Sequence, residues 1–249
     1  MSLHPLAARF AEVADTYERG RPDYPPEVAR AIAAELSLAR DAPVLDLGAG
    51  TGKLTRALVA AGLDVVAVEP QAPMREILAS SVGARRVRDG TAEAIPLADA
   101  SVCAVTAADA FHWFDSARAL AEIRRVLRRR GGLAVLSTVP DFGDASWAHA
   151  VGQLVAAARP AHPFHDGPPW QDSLHSAGGW SEPRETRVTV RQRAEPERLL
   201  DWIASFSWVA AMSERERAEL LARARELIAN GDTPEELPVH FVVGLARLL

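Results

Sequence analysis

The sequence predicts an α/β fold: an open, mostly parallel, seven-stranded sheet with helices on both faces and a helical insertion late in the chain. Three observations predict it. Short apolar runs rich in Val, Leu and Ala alternate with segments whose apolar residues recur at helical spacing. The first such run ends in a glycine-rich turn that opens a helix, as expected of a parallel strand–helix–strand unit with right-handed crossovers. The length of 249 residues and an apolar fraction of 48% suffice for one large domain, or one domain carrying a smaller appendage, with a sizeable core.

The elements follow in order. Leu6–Val13 reads as a short amphipathic helix. Tyr17-Glu18-Arg19-Gly20-Arg21-Pro22-Asp23-Tyr24-Pro25-Pro26, punctuated by glycine and proline, reads as an extended turn segment. Glu27–Leu38 is helical, with Val28, Ile32 and Leu36 on one face. Strands are expected at Pro43–Leu47, Val65–Glu69, Arg86–Arg88, Ser101–Ala107 and Leu133–Ser137. Helices are expected at Leu54–Ala61, Ala72–Ser81 and Ser116–Arg130, the last ended by Gly131-Gly132. Beyond them come a helix at Ala145–Ala158, a loop from Pro160 to Gly179 and a strand at Thr186–Gln192. Helices at Glu195–Ser205 and Ser213–Ile228 precede a last strand at Val239–Leu245. Ser213 and Glu216 have capping-box spacing. The two helices between the last strands read as an insertion covering a site.

Composition narrows the function. The net charge of -5 disfavours a duplex-binding protein and, more weakly, attachment to anionic lipid. No apolar run reaches membrane-spanning length, and the N-terminus has no secretory pattern, so a cytoplasmic enzyme is expected. Cys103 is the sole cysteine, which excludes an internal disulfide and a multi-cysteine zinc site. His162, His165, Asp166 and His175 match no tight metal-ligand spacing, so no metal is expected. The arginines of Arg124–Arg130 read as a solvated helix end that complements the helix dipole. Trp147, Trp170, Trp180, Trp202 and Trp208 are expected mostly in the core, with one or two in a pocket.

In an open parallel sheet, ligands bind beyond the carboxyl ends of the strands. Asp46-Leu47-Gly48-Ala49-Gly50-Thr51-Gly52 occupies that place after the first strand. Its glycines permit a tight turn and close approach of backbone to ligand. A nicotinamide fingerprint would put its third glycine where Lys53 stands, and the phosphate-loop string is absent. Glu69 ends the second strand, where a carboxylate can accept both hydroxyls of a ribose. Asp89-Gly90-Thr91-Ala92-Glu93-Ala94-Ile95-Pro96-Leu97 lies where an adenine ring would sit.

These motifs together resemble the class I S-adenosylmethionine-dependent methyltransferases of the small-molecule type 11 group. The likeness rests on Asp46–Gly52, Glu69, Gly90–Pro96 and the run Glu122-Ile123-Arg124-Arg125-Val126-Leu127 before Gly131-Gly132, in register from Val44 to Leu136. Thr91 stands where the family often has aspartate, and Arg130 replaces its proline before the glycine pair. The segment Tyr17–Pro25 and Ala110-Phe111-His112-Trp113-Phe114-Asp115 resemble a branch that includes trans-aconitate methyltransferases, which esterify carboxylates.

The resemblance implies a Rossmann-like fold, S-adenosyl-L-methionine as cofactor and a small-molecule acceptor methylated on a carboxylate or hydroxyl oxygen. Nucleic acid and membrane are not expected as partners. It also implies residues 1–40 as cap helices over the cofactor site, 41–140 as the cofactor-binding core, and 141–249 as the part that completes the sheet and carries a substrate cap. Asp46, Gly48, Ala49, Gly50 and Gly52 would shape the methionine-side cradle, and Glu69 would hold the ribose. Pro70, Met74 and Ala108 would line the cofactor, and Thr91, Ala92 and Glu93 would border adenine. Tyr17 and Arg21 would close over the cofactor, the arginine on its carboxylate. Asp109 would touch the cofactor amine or the substrate, or cap the following turn. His112 and Trp113 would face the acceptor, His112 as a general base or as a packed wall residue. A nicotinamide oxidoreductase and a non-catalytic cofactor-binding module are the competing readings.

Overall fold

The computed structural model describes residues 3–141, 146–193, 195–231 and 236–249. Its strands are β1 (Pro43–Leu47), β2 (Asp64–Val68), β3 (Val87–Arg88), β4 (Val102–Ala108), β5 (Leu127–Pro140), β6 (Arg184–Arg193) and β7 (Glu236–Arg247). They form a seven-stranded sheet in the order β3-β2-β1-β4-β5-β7-β6. The pairings β3–β2, β2–β1, β1–β4 and β4–β5 are parallel. Hydrogen bonds from Asp141 N to Pro238 O and from Leu248 N to Gly131 O run β7 antiparallel to β5. The fold is thus the Rossmann-like, mostly parallel sheet expected. Strand order reverses between β1 and β4, which opens a crevice at their carboxyl ends.

Alternation along the strands explains the two helical layers. Leu45 and Leu47 of β1 join Val105, Ala107 and Leu133 in a cluster with Leu120, Ile123 and Val126 of helix Ser116–Val126. Asp46, between those leucines, points to the opposite face, where helix Lys53–Ala60 supplies Thr55. Leu58 and Ile32 are fully buried on the helices Lys53–Ala60 and Pro26–Glu35.

The chain forms two compact units. One comprises Met1–Pro22, Val139–His162 and Thr189–His240. Within it, helix Glu214–Asn230 starts with the capping box expected at Ser213 and Glu216 and buries Leu220, Ala224 and Ile228. The other comprises Asp23–Thr138, Pro163–Val188 and Phe241–Leu249, and holds the parallel strands and the glycine turn. No helix of the described residues is long and apolar enough to cross a membrane.

Four expectations need correction. Tyr17–Gly20 completes a helix, Ala14–Gly20, rather than a turn. Gly20 is there for close packing: a Cβ would lie 2.3 Å from Trp202 N. The chain leaves the helix at Arg21, in extended conformation before Pro22. Second, helix Ser116–Val126 stops early, and Leu127–Arg130 belong to β5. Leu127 pairs with Val102 while Gly132 pairs with Ala104, so the strand carries a bulge, with Arg130 at φ +61°. Gly132 lies inside this strand, and the Leu36 side chain fills the space a Cβ would take. Only Arg124 and Arg125 face the helix dipole.

Third, the expected loop Pro160–Gly179 contains the helices Pro163–Asp166 and Trp170–Ala177. Proline opens the first and precedes the second, so it marks helix starts there rather than turns. Trp170 and Leu174, four apart, pack on the sheet's core cluster. Fourth, a short helix at Ser207–Ala210 follows Pro196–Ala204. Residue 145, where a helix was expected to begin, lies outside the described residues; Ser146–Ala157 is helical.

Candidate active site

The turn after β1 takes its shape from left-handed glycines. Gly48, Gly50 and Gly52 have φ of +68°, +57° and +90°. The backbone N–H groups of Gly48 and Ala49 both donate to Val68 O at the end of β2 (2.9 and 3.1 Å). A Cβ on Gly52 would meet Leu78 at 2.5 Å, whereas nothing lies within 4 Å of a Cβ on Gly50. Gly52 is thus packed under the Leu78 side chain and fixed as glycine by its φ, while Gly50 leaves open space before the turn.

Glu69 closes this turn from the neighbouring strand. It is only 4% exposed; Oε2 accepts from Gly50 N and Oε1 from Gln71 N, both at 2.9 Å. Burial pushes its carboxyl up to about 7, against the pull of the Gln71 and Gly50 N–H groups and of Arg75; the charge of Asp46 adds to the rise. A carboxylate has about four acceptor positions. Two backbone donors leave capacity for two more, the number a vicinal diol supplies.

Asp46 is even more deeply buried, at 1% exposed. Thr55 Oγ1 donates to its Oδ2 at 2.6 Å and Thr106 Oγ1 to its Oδ1 at 2.9 Å. Burial raises its carboxyl to about 6, moderated by the two hydroxyls. Its side chain thus ties β1 to β4 and to helix Lys53–Ala60. The Thr51 hydroxyl, beside Gly50, is buried and makes no hydrogen bond among the described residues.

The loop after β3 brings Thr91, Ala92 and Glu93 together in a tight turn closed by a Thr91–Ala94 bridge. Ala92 is buried, and Glu93 Oε1 accepts from Asp115 N at 3.0 Å, which pins this turn to the loop after β4. Pro70 follows Glu69 in the loop after β2, and Met74 is buried on helix Ala72–Val82.

After Ala108, the last residue of β4, Asp109 takes φ +50°. Its Oδ1 accepts from Thr138 N at 2.9 Å, and Tyr24 Oη lies 3.4 Å from its Oδ2 and 3.0 Å from Thr138 Oγ1. The helix-capping role falls instead to Asp115, which accepts from Arg118 N. His112 and Trp113 sit on a single 3-10 turn, Phe111–Trp113. The His112 ring lies 4.6 Å from Trp113 and 5.1 Å, edge-on, from the exposed Phe164. Tyr17 and Arg21 belong to the other unit. There the Arg21 guanidinium stacks over Tyr17 and Phe206, both at 5.0 Å, and its Nε donates to Ser205 Oγ.

Comparison with known proteins decides what this architecture is. Residues 45–135 match the family model described as "Methyltransferase domain". An uncharacterised methyltransferase of Mycobacterium tuberculosis is 38% identical over 92% of the chain and 88% of that protein. The chain belongs to the class I S-adenosylmethionine-dependent methyltransferases. A fission-yeast (Schizosaccharomyces pombe) uncharacterised methyltransferase is 32% identical over 87% of this methyltransferase and 85% of its own length. A solved structure of a candidate type II methyltransferase from Anaeromyxobacter dehalogenans superposes with a TM-score of 0.65 at 28% identity, covering 91% of this chain and 96% of that one.

S-adenosylmethionine is the methyl donor. The residues present fit it: an open cradle at Gly50, an unused buried hydroxyl on Thr51, and an acid at Glu69 with acceptor capacity to spare. Thr51, Thr55, Thr106 and Tyr24 escaped the sequence reading. Thr51 lay inside the motif and Thr55 nine residues from its partner Asp46; Thr106 and Tyr24 have no local signal, because their partners are far away in the chain.

Proposed function

We propose that this methyltransferase transfers its methyl group to an oxygen of a small-molecule acceptor, a carboxylate or a hydroxyl, presented at His112 and Trp113. The observation that carries this reading is the packing of His112 between Trp113 and Phe164 on the turn just beyond β4. An imidazole held in an aromatic setting can donate to an acceptor carboxylate, or take a proton from a hydroxyl. The net charge of -5 and the resemblance of Ala110–Asp115 to enzymes that esterify carboxylates support a small acceptor.

The cofactor, when bound, would supply a methyl on a sulfonium, whose sulfur can leave with the bonding pair as a neutral thioether. The chain's part is placement. Gly48, Ala49, Gly50 and Gly52 present backbone to the methionine side, and Asp46 stiffens that turn from behind. Glu69 takes the ribose hydroxyls, Pro70 and Met74 flank them, and Thr91, Ala92 and Glu93 border the adenine. Ala108 and Asp109 carry the chain from the cofactor to the acceptor. Positioning of this kind is worth about 7–11 kcal/mol. An acceptor carboxylate is ionised at neutral pH and needs no base, whereas a hydroxyl does.

Methyl transfer from labelled cofactor to a panel of carboxylic acids, phenols, alcohols, amines and thiols tests the reading. Methyl esters release methanol in alkali and ethers do not, so product lability names the atom. With a carboxylate acceptor, His112→Ala raises KM and spares kcat. With a hydroxyl acceptor it lowers kcat by about a hundredfold or more. Label appearing only on amines or thiols would refute the oxygen assignment.

A further inference from the structure

We infer that Arg75 is a positioning residue for cofactor binding: it clamps the backbone at the carboxyl end of β2, so that Glu69 meets the nucleoside at a fixed place. The inference rests on the reading of Glu69 as the ribose acceptor.

Arg75 lies in the first turn of helix Ala72–Val82, and the helix returns its side chain to the end of β2. Its Nη1 lies 3.0 Å from Glu69 O and 2.6 Å from Pro70 O. The same nitrogen is 3.2 Å from Asp89 Oδ1, in the loop after β3. One guanidinium therefore joins the backbone on either side of the Glu69–Pro70 bond to the start of the segment assigned to adenine. Asp89 is 71% exposed, so that ion pair contributes little by itself. The anchor is the pair of carbonyls, which a charged donor holds more firmly than a neutral one. Glu69 N in turn donates to Arg88 O at 3.2 Å, so backbone and side chain converge on one junction.

The charge of Arg75 has a second effect. The groups around the Glu69 carboxylate are the N–H donors of Gly50 and Gln71, the cation of Arg75 and the acid of Asp46. Arg75 opposes the rise that burial imposes, and Asp46 adds to it. Without the cation, Glu69 would take up its proton at a higher pH. A ribose diol donates to the ionised form, so binding would weaken further near neutrality.

Calorimetry with S-adenosylhomocysteine across pH, on wild type, Arg75→Met, Arg75→Lys, Glu69→Gln and the Arg75→Met/Glu69→Gln double variant, tests this. Arg75→Met is expected to bind about tenfold more weakly near neutral pH. Its pH midpoint should move to the alkaline side, and Arg75→Lys should restore that midpoint. The effect of Arg75→Met should shrink in the Glu69→Gln background. If Arg75→Met binds like wild type while Glu69→Gln does not, the inference fails and the ribose reading stands. If Arg75→Met lowers affinity equally at every pH, Arg75 only supports the fold and the inference fails. If Glu69→Gln binds like wild type, the ribose reading fails and takes the inference with it.

Discussion

The carboxyl ends of β1 and β2 each carry a buried acid, Asp46 at 1% and Glu69 at 4% exposure. Burial raises both, to about 6 and about 7. Their partners differ. Asp46 receives two side-chain hydroxyls that belong to the scaffold, one from a helix and one from β4. Glu69 receives two backbone N–H groups from loops, one of them from the glycine turn itself. Asp46 is surrounded by fixed structure, while Glu69 borders the open space in front of Gly50. Equal burial therefore goes with two settings: Asp46 ties scaffold elements together, while Glu69 ties two loops and, on the reading proposed above, keeps acceptor capacity for a ligand.

The largest expected effect breaks the Glu69 side of this comparison. Glu69→Gln should lower S-adenosylhomocysteine affinity about a hundredfold, the loss of two charge-assisted hydrogen bonds. Its stability in denaturant should stay close to that of wild type near neutrality, because removal of a desolvated charge is offset by the backbone N–H that loses its acceptor to the amide NH2. Calorimetry and urea titration check the two halves. Asp46→Ala should do the reverse. It leaves the buried hydroxyls of Thr55 and Thr106 without their acceptor and opens a gap, at a cost of about 2–4 kcal/mol. Cofactor affinity of the folded variant should stay within about tenfold of wild type. A larger loss of affinity than of stability would erase the distinction between the two acids.

Gly50→Ala sharpens the comparison at the turn. A left-handed alanine costs about 1–2 kcal/mol, and its methyl enters the open space, so affinity should fall about tenfold. The smallest effect is on pH-dependent stability. Both acids have folded midpoints above their ordinary values of 3.8 and 4.5, so the folded state binds protons more tightly than the unfolded chain. The stability they add is complete below those ordinary values. It is lost as pH rises through about 6 for Asp46 and about 7 for Glu69. The Tm of Glu69→Gln relative to wild type should therefore climb by a few degrees from mildly acidic to mildly alkaline pH. A difference independent of pH would mean that Glu69 is not proton-linked to folding.

The parallel half of the fold was legible because its signals are local. Pro43–Leu47 was bounded to the residue by an apolar run between a proline and a glycine turn. The helix Ala72–Val82 was placed within one residue. The later half was less legible where one residue type serves two ends. Proline and glycine between Pro160 and Gly179 read as loop, yet proline there starts helices. Leu127–Arg130 continue a helical pattern in sequence, yet Leu127 pairs with Val102 of β4 and the three arginines form the bulge that follows in the strand. A strand partner in a parallel sheet lies a crossover away, beyond the reach of any local window.

The sequence by itself determined the alternation of strands and helices in the parallel half, the glycine turn and the presence of an acid at the end of β2, because backbone sterics and apolar periodicity act over a few residues. Only the tertiary structure decided that Thr106 meets Asp46 across 60 residues, that Glu69 reaches back to Gly50, and that Arg75 reaches Asp89 in the loop after β3. Hydrogen-bond partners of buried charges are chosen by where the sheet brings chains together, and desolvation penalises any charge that finds none.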